Sequence, residues 1–201
     1  YKNELIYALN KEIELRKNEL VTPLETIYFG GGTPSILNEY DLKLILNSIK
    51  NNFQIVSNPE ITLEANPDDL TFEYLQMLKN IGINRLSIGI QSFHDDELLL
   101  MNRSHNATQA KNAVLNAKSV GFENITIDLI YGIPNSNDEK WNYNLKIFSE
   151  LDIPHLSAYA LTVEEKTALD VMINKGKINP VDEELAVIQF DFLRKFILKQ
   201  G

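Results

Sequence analysis

Short runs of β-forming residues alternate with longer amphipathic stretches, and this alternation limits what the chain can fold into more than any other feature. The runs are Thr26–Phe29, Glu60–Ala65, Arg85–Ile90, Ile125–Ile130 and His155–Ala160, and helical periodicity covers about 2–19, 39–52, 71–81, 106–120, 138–150 and 182–200. Strands separated by helical crossovers pair in parallel, with the helices covering the sheet. Local signals mark the boundaries. Asn38, Thr71 and Asn106 stand where a side-chain oxygen caps a first turn. Gly82 and Gly121 stand where a left-handed residue ends a helix, three or four positions before the next strand. The spacing predicts one α/β domain over residues 1–201. Five strands fall short of the eight that close a (β/α)8 barrel, so an open or partial barrel is expected. Periodicity alone leaves a doubly wound sheet open. A dinucleotide fold of that kind wants GxGxxG and a later acidic residue, a pattern that Gly30-Gly31-Gly32-Thr33-Pro34-Ser35 does not fit.

Composition excludes several classes. The formal net charge is −9 and the lysines are scattered, which argues against a nucleic-acid backbone as main partner. No apolar run approaches the roughly 20 residues that span a bilayer, so an integral membrane protein is not expected. Tyr1-Lys2-Asn3-Glu4-Leu5-Ile6 is not a secretory signal and lacks an initiator Met; a cytoplasmic protein that extends beyond these residues is expected. Cysteine is absent, which removes disulfides and thiolate-bound metal from these residues. His94, His105 and His155 show no ligand spacing and are expected at the surface or at helix caps.

Candidate site residues cluster at strand ends. Gly30, Gly31 and Gly32 follow the first run and leave one rim of the sheet without Cβ atoms, and Thr33 adds a hydroxyl at the same edge. In Ile61-Thr62-Leu63-Glu64, alternation puts Thr62 and Glu64 on one face, the lumen side of a barrel. Gln91 ends the third run with an amide suited to ribose hydroxyls or a purine edge, and Gly89 permits close approach beside it. Asp128 lies among β-branched neighbours, where a carboxylate needs a partner. Arg103, beyond Gln91, offers a fork for a carboxylate. Tyr131, Gly132 and Pro134 shape a loop. On the last helical stretch Leu185, Ile188, Phe192 and Phe196 form an apolar stripe expected to dock on the sheet. Neither a nucleophile triad nor a phosphate loop stands out, so the residues point to small-molecule binding.

Tyr28–Ser35, Glu64–Asp68, Asn84–Phe93, Asn124–Pro134 and Leu156–Glu165, in this order and spacing, resemble the radical SAM core of the oxygen-independent coproporphyrinogen III oxidase family. Met101–His105 and Leu156–Thr162 look more like its haem-chaperone branch, HemW, than like the oxidase. The resemblance implies a partial (β/α)6-type TIM barrel binding S-adenosylmethionine (SAM) and a [4Fe–4S] cluster. The cluster's CxxxCxxC loop is expected upstream of Tyr1, so residues 1–201 alone are expected neither to hold the cluster nor to cleave SAM. By the same resemblance Gly31, Gly32 and Thr33 line the methionine moiety, Glu64 meets its ammonium and Arg103 its carboxylate. Gln91 and Asp128 hold the ribose, Ile130 packs near the adenine and Thr162 supplies a backbone contact. The family's chemistry is reductive cleavage of SAM to a 5′-deoxyadenosyl radical, which in the oxidase decarboxylates porphyrinogen propionates to vinyls. In the chaperone branch the implied role is haem binding and delivery to respiratory-chain proteins.

Overall fold

In the computed structural model, which describes residues 1–200, five parallel strands lie side by side in chain order. They are β1 (Leu24–Phe29), β2 (Ile55–Ala65), β3 (Arg85–Gln91), β4 (Asn124–Tyr131) and β5 (His155–Ala160). Helix α1 (Lys2–Leu15) precedes the sheet, and α2 (Glu39–Asn52) and α3 (Phe72–Ile81) make the first two crossovers. The third crossover holds α4 (Asp95–Leu100) and α5 (Ala107–Val120), the fourth α6 (Asp138–Leu151), and α7 (Ala168–Asn174) and α8 (Glu183–Gln200) follow β5. The sheet curls into a half-barrel, as the partial-barrel expectation required.

Strand alternation divides the sheet into two unlike faces. Ile27, Phe29, Ile61, Leu63, Leu86, Ile88, Ile125, Ile127 and Leu129 are buried in one apolar cluster with Leu42, Leu46, Leu75, Leu78, Val114, Trp141 and Leu145 from the helices. The intervening residues are polar, and the register lines them up: Thr62 beside Arg85, Glu64 beside Ser87, Ser87 beside Thr126, Asp128 beside Ser157. The helices therefore cover one face only, and the other, concave face is left to polar chemistry.

The caps form as the residue types dictate. Asn38 accepts from Asp41 N at 2.9 Å while the Asp41 carboxylate takes Asn38 N, and Asn106 and Gln109 make the same reciprocal pair. Thr71 caps α3, and Gly82 (φ 102°) and Gly121 (φ 94°) end α3 and α5 in the left-handed region.

Four features differ from the sequence reading. Helix α1 stops at Leu15, four residues short of the predicted end. Helices α4 and α7, of six and seven residues, are too short to display a period. Strand β2 starts at Ile55, five residues before the predicted Glu60, and the register with β1 jumps from Leu24–Ile55 to Thr26–Glu60. On α8 the inward residues are Gln189 and Leu193, with Phe196 packed beside the core, whereas Ile188 and Phe192 of the expected docking stripe are 55% and 40% exposed. The face that docks is rotated because α8 meets Gly132 and Trp141: Gly132 N donates to Gln189 Oε1 and Trp141 Nε1 to Gln189 O.

Candidate functional site

The C-terminal ends of β2, β3 and β4 and the loop after β1 enclose one cavity of about 260 Å³, lined by Gly32, Thr33, Pro34, Glu64, Ala65, Asn66, Ser87, Gly89, Gln91, Arg103 and Asp128. Six of the nine candidate residues, Gly32, Thr33, Glu64, Gln91, Arg103 and Asp128, are thus brought together. Gly31 reaches the site through Glu64. Ile130 follows Asp128 on the same face of β4 but does not line the cavity, and Thr162 is exposed beyond β5. A larger groove of about 780 Å³ between α1 and α2 is lined by none of these residues.

The glycine rim has an internal logic. Gly31 (φ 78°) and Gly32 (φ 62°) occupy the left-handed region, so the turn itself requires both. Gly30 is needed for space instead, since a Cβ there would lie 2.8 Å from the Tyr28 ring and 3.1 Å from the Glu64 carboxyl. The turn directs Gly31 N to Glu64 Oε2 at 3.1 Å, and Tyr28 Oη donates to Glu64 Oε1 at 2.8 Å. Burial first, and then the Glu64 carboxylate, push the Tyr28 phenol above its ordinary pKa. Gly89 plays the matching part in β3: a Cβ there would meet Gln91 Nε2 at 2.8 Å and Arg103 Nη2 at 3.3 Å. The close approach it permits is therefore that of two of the protein's own cavity-lining groups.

Arg103 and Asp128 supply the charge. Burial lowers the Arg103 pKa, opposed by Asp68 and Asp128, and its Nε is buried without a hydrogen-bond partner. A half-buried guanidinium that lines the cavity and is not fully hydrogen-bonded has unused capacity for an acceptor. Burial raises the Asp128 pKa, the Ser157 hydroxyl opposes that and Glu64 adds to it. Two carboxyls, a guanidinium and an amide around one opening form a donor and acceptor set for a small zwitterion carrying hydroxyls.

His105 corrects the surface expectation. It is buried, its Nε2 meets Ile90 O at 3.0 Å and its Nδ1 faces Asp68 at 4.0 Å, because the segment after α4 folds back onto the end of β3. Since a carbonyl only accepts, Nε2 carries the proton. Tyr28, Ser87 and Ser157 also stand at or beside the site, although no motif marks them. Alternation from Gln91 back through Gly89 identifies Ser87, and pairing across the sheet identifies Ser157.

The family model of the radical SAM superfamily matches residues 8–146, more than two thirds of the chain. The chain belongs to the radical SAM superfamily. Among curated relatives it is 34% identical over 181 residues to heme chaperone HemW of Lactococcus lactis, covering 90% of this chain and 48% of that protein. It is 39% identical over 168 residues to the HemW of Haemophilus influenzae, covering 83% of this chain and 44% of the other. It thus spans just under half the length of these relatives. Among solved structures, the coproporphyrinogen III oxidase HemN of Escherichia coli, a radical SAM enzyme, superposes with a TM-score of 0.86 at 27% identity, over 100% of this chain and 46% of HemN. Membership implies SAM and a [4Fe–4S] cluster as cofactors. No group of His, Cys, Asp or Glu among the described residues is placed to hold a metal ion, and the sequence has no cysteine, so these residues do not fit the cluster. Among the described residues no helix is long and apolar enough to cross a membrane.

Proposed function

We propose that residues 1–201 form the SAM-binding core domain of a HemW-like haem chaperone that acts in the cytoplasm. The observation that carries the reading is the convergence of Thr33, Glu64, Gln91, Arg103 and Asp128 on one cavity. Their chemistry fits SAM group by group. Glu64, held by Tyr28 and Gly31 N, faces the ammonium; the Arg103 guanidinium takes the carboxylate; Gln91 and Asp128 take the ribose hydroxyls. Gly31, Gly32 and Thr33 form the wall against the methionine chain. At about 260 Å³ the cavity lies below the ~300–1,000 Å³ usual for ligand sites, so the adenine extends outside it, along β4 past Ile130 and toward Thr162. The residues of this chain orient the sulfonium and hold its charges.

The chaperone reading includes binding of haem and its delivery to respiratory-chain proteins, and rests on the HemW relatives. A second reading, the oxygen-independent coproporphyrinogen III oxidase, is favoured by the superposition of the whole of this chain on 46% of HemN. Calorimetry with the full-length, cluster-reconstituted protein tests the shared core: Asp128→Ala and Arg103→Ala should each weaken SAM binding about tenfold or more, the worth of one charge-assisted hydrogen bond. Unchanged affinity in both variants refutes the assignment. Incubation of the same protein with haem and with coproporphyrinogen separates the branches, since turnover of the porphyrinogen overturns the chaperone reading.

A further inference from the structure

Gln91 presents its amide to the cavity from a backbone conformation that residues with a Cβ rarely adopt. Its φ is +67° and Ser92 N donates to Ile90 O at 2.9 Å, closing a three-residue turn in the positive-φ sense, which is rare and strained. The ladder registers the same event. Ile88 pairs with Ile127 and Gln91 with Leu129, so β3 carries one more residue than β4 between those pairs, a bulge of the kind that re-aims a side chain.

A buried polar cluster grips the chain directly after Gln91. Ser92 is fully buried; its Oγ donates to Glu97 Oε2 at 2.5 Å and accepts from His94 N at 3.1 Å and Asn144 Nδ2 at 3.2 Å. Glu97, 3% exposed, accepts a second hydroxyl from Ser136 Oγ at 2.5 Å, and Asn144 Oδ1 takes Phe93 N at 2.8 Å. None of these side chains lines the cavity. The bulge, α4 and the loop after β4 therefore meet at the Glu97 carboxyl, and α6 joins them through Asn144 on Ser92 and Phe93. Apolar packing there would tolerate several orientations of the Ser92 peptide, whereas a fully satisfied hydrogen-bonded cluster selects one.

We propose that Glu97, supported by Ser92, Ser136 and Asn144, is a positioning residue: it holds the peptide after Gln91 so that the strained turn persists and the amide stays aimed at the ligand's hydroxyls. The inference rests on the reading of the cavity as a SAM site and deepens it. Glu97 touches no ligand and acts through Gln91.

A double-mutant cycle on the full-length, cluster-reconstituted protein tests this, with SAM affinity read by calorimetry and folding by thermal melting. Gln91→Ala and Glu97→Gln should each weaken SAM binding about tenfold, and Ser136→Ala about threefold. In a Gln91→Ala background neither second substitution should weaken binding further, because the group they aim is gone. Gln91→Gly should melt above Gln91→Ala, since glycine relieves the positive φ. Wild-type affinity in Glu97→Gln with a lowered melting temperature overturns the proposal in favour of a purely structural role, as does full additivity in the cycle. Equal melting of the glycine and alanine variants overturns the strain. If Glu97→Gln does not fold, Ser136→Ala carries the cycle. A wild-type protein that fails to bind SAM overturns the cavity assignment itself, and the proposal with it, a result distinct from wild-type binding that Glu97 does not influence.

Discussion

At the scale of single residues, the site is built from groups whose environments oppose their charge or their backbone. Asp128 is the clearest case. Burial raises its pKa above the ordinary carboxyl value, so the folded state disfavours the ionised form. A carboxyl raised in this way contributes fully to stability below its unfolded pKa of about 3.9, and that contribution is lost as pH rises through the folded value. Asp128→Asn should therefore melt above wild type at pH 7, with the gap closing toward pH 4, while SAM affinity falls. Equal melting curves at neutral pH would rule this out. His105 has the opposite sense: burial lowers its pKa, so its contribution is present above about 6.5 and is lost as pH falls below that, with Arg103 adding to the shift and Asp68 opposing it. The glycine rim separates two kinds of cost. Gly31→Ala meets no atom within 4 Å and should lose only the roughly 1–2 kcal/mol of a left-handed Cβ, whereas Gly30→Ala carries no such cost and should instead break the Tyr28–Glu64 hydrogen bond by crowding. Denaturant titration reads the first, and a drop in the Tyr28 pKa by ultraviolet titration reads the second. Residue identity alone made Glu64, Gln91 and Asp128 legible, because a polar side chain at an apolar strand's end is conspicuous. His105 was not legible, since its burial depends on how the segment after α4 returns.

Among the elements, what the sequence made plain was whatever local chemistry enforces. The caps at Asn38, Thr71 and Asn106 and the stops at Gly82 and Gly121 need only neighbours in the chain. What it concealed depends on distant partners. The early start of β2 is an example: Pro59 lies inside the strand and supplies no N–H to a ladder. Asn84, from the loop before β3, repairs the interruption, since its Nδ2 donates to Pro59 O at 2.8 Å and its Oδ1 accepts Ile61 N at 2.7 Å. No period in the sequence announces a side chain that substitutes for a strand. Asn84→Ala leaves both backbone groups unpaired at a part-buried position, so a loss of about 1–3 kcal/mol is expected by urea denaturation. Asn84→Asp should restore the acceptor for Ile61 N and not the donor for Pro59 O, and so fall between the two. The bulge before Gln91 belongs to the same class, because Gly89-Ile90-Gln91 reads as uninterrupted alternation until the partner strand is known.

For the whole molecule, the decisive asymmetry lies between a sheet face buried under helices and one left open, and it extends to the outermost helix. The order of strands and helices was enough to anticipate a parallel α/β sheet, and the period of two its unlike faces. The half-barrel rather than a doubly wound sheet followed from the strand count, the missing GxGxxG and the family resemblance. Helix α8 escaped that logic. Leu, Ile, Val and Phe lie around much of its circumference, so the stripe of Leu185, Ile188, Phe192 and Phe196 had apolar rivals, and the docking face was fixed by Gln189 reaching Gly132 and Trp141. The outer side then carries Val187, Ile188, Phe190 and Leu198, each more than half exposed. Clustered apolar exposure of this kind drives association in water. The 201-residue chain should therefore form concentration-dependent oligomers at tens of micromolar despite a net charge of −9, which by itself favours monomers. Added salt should strengthen the association, since it screens the repulsion and leaves the apolar attraction in place. The pair Ile188→Lys and Leu198→Lys should return the chain to a monomer without lowering its melting temperature, because neither residue contributes to the core. Light scattering coupled to size exclusion, run at two salt concentrations, reads both effects. A wild-type chain that stays monomeric at high salt would mean that the outer side of α8 is not an adhesive surface.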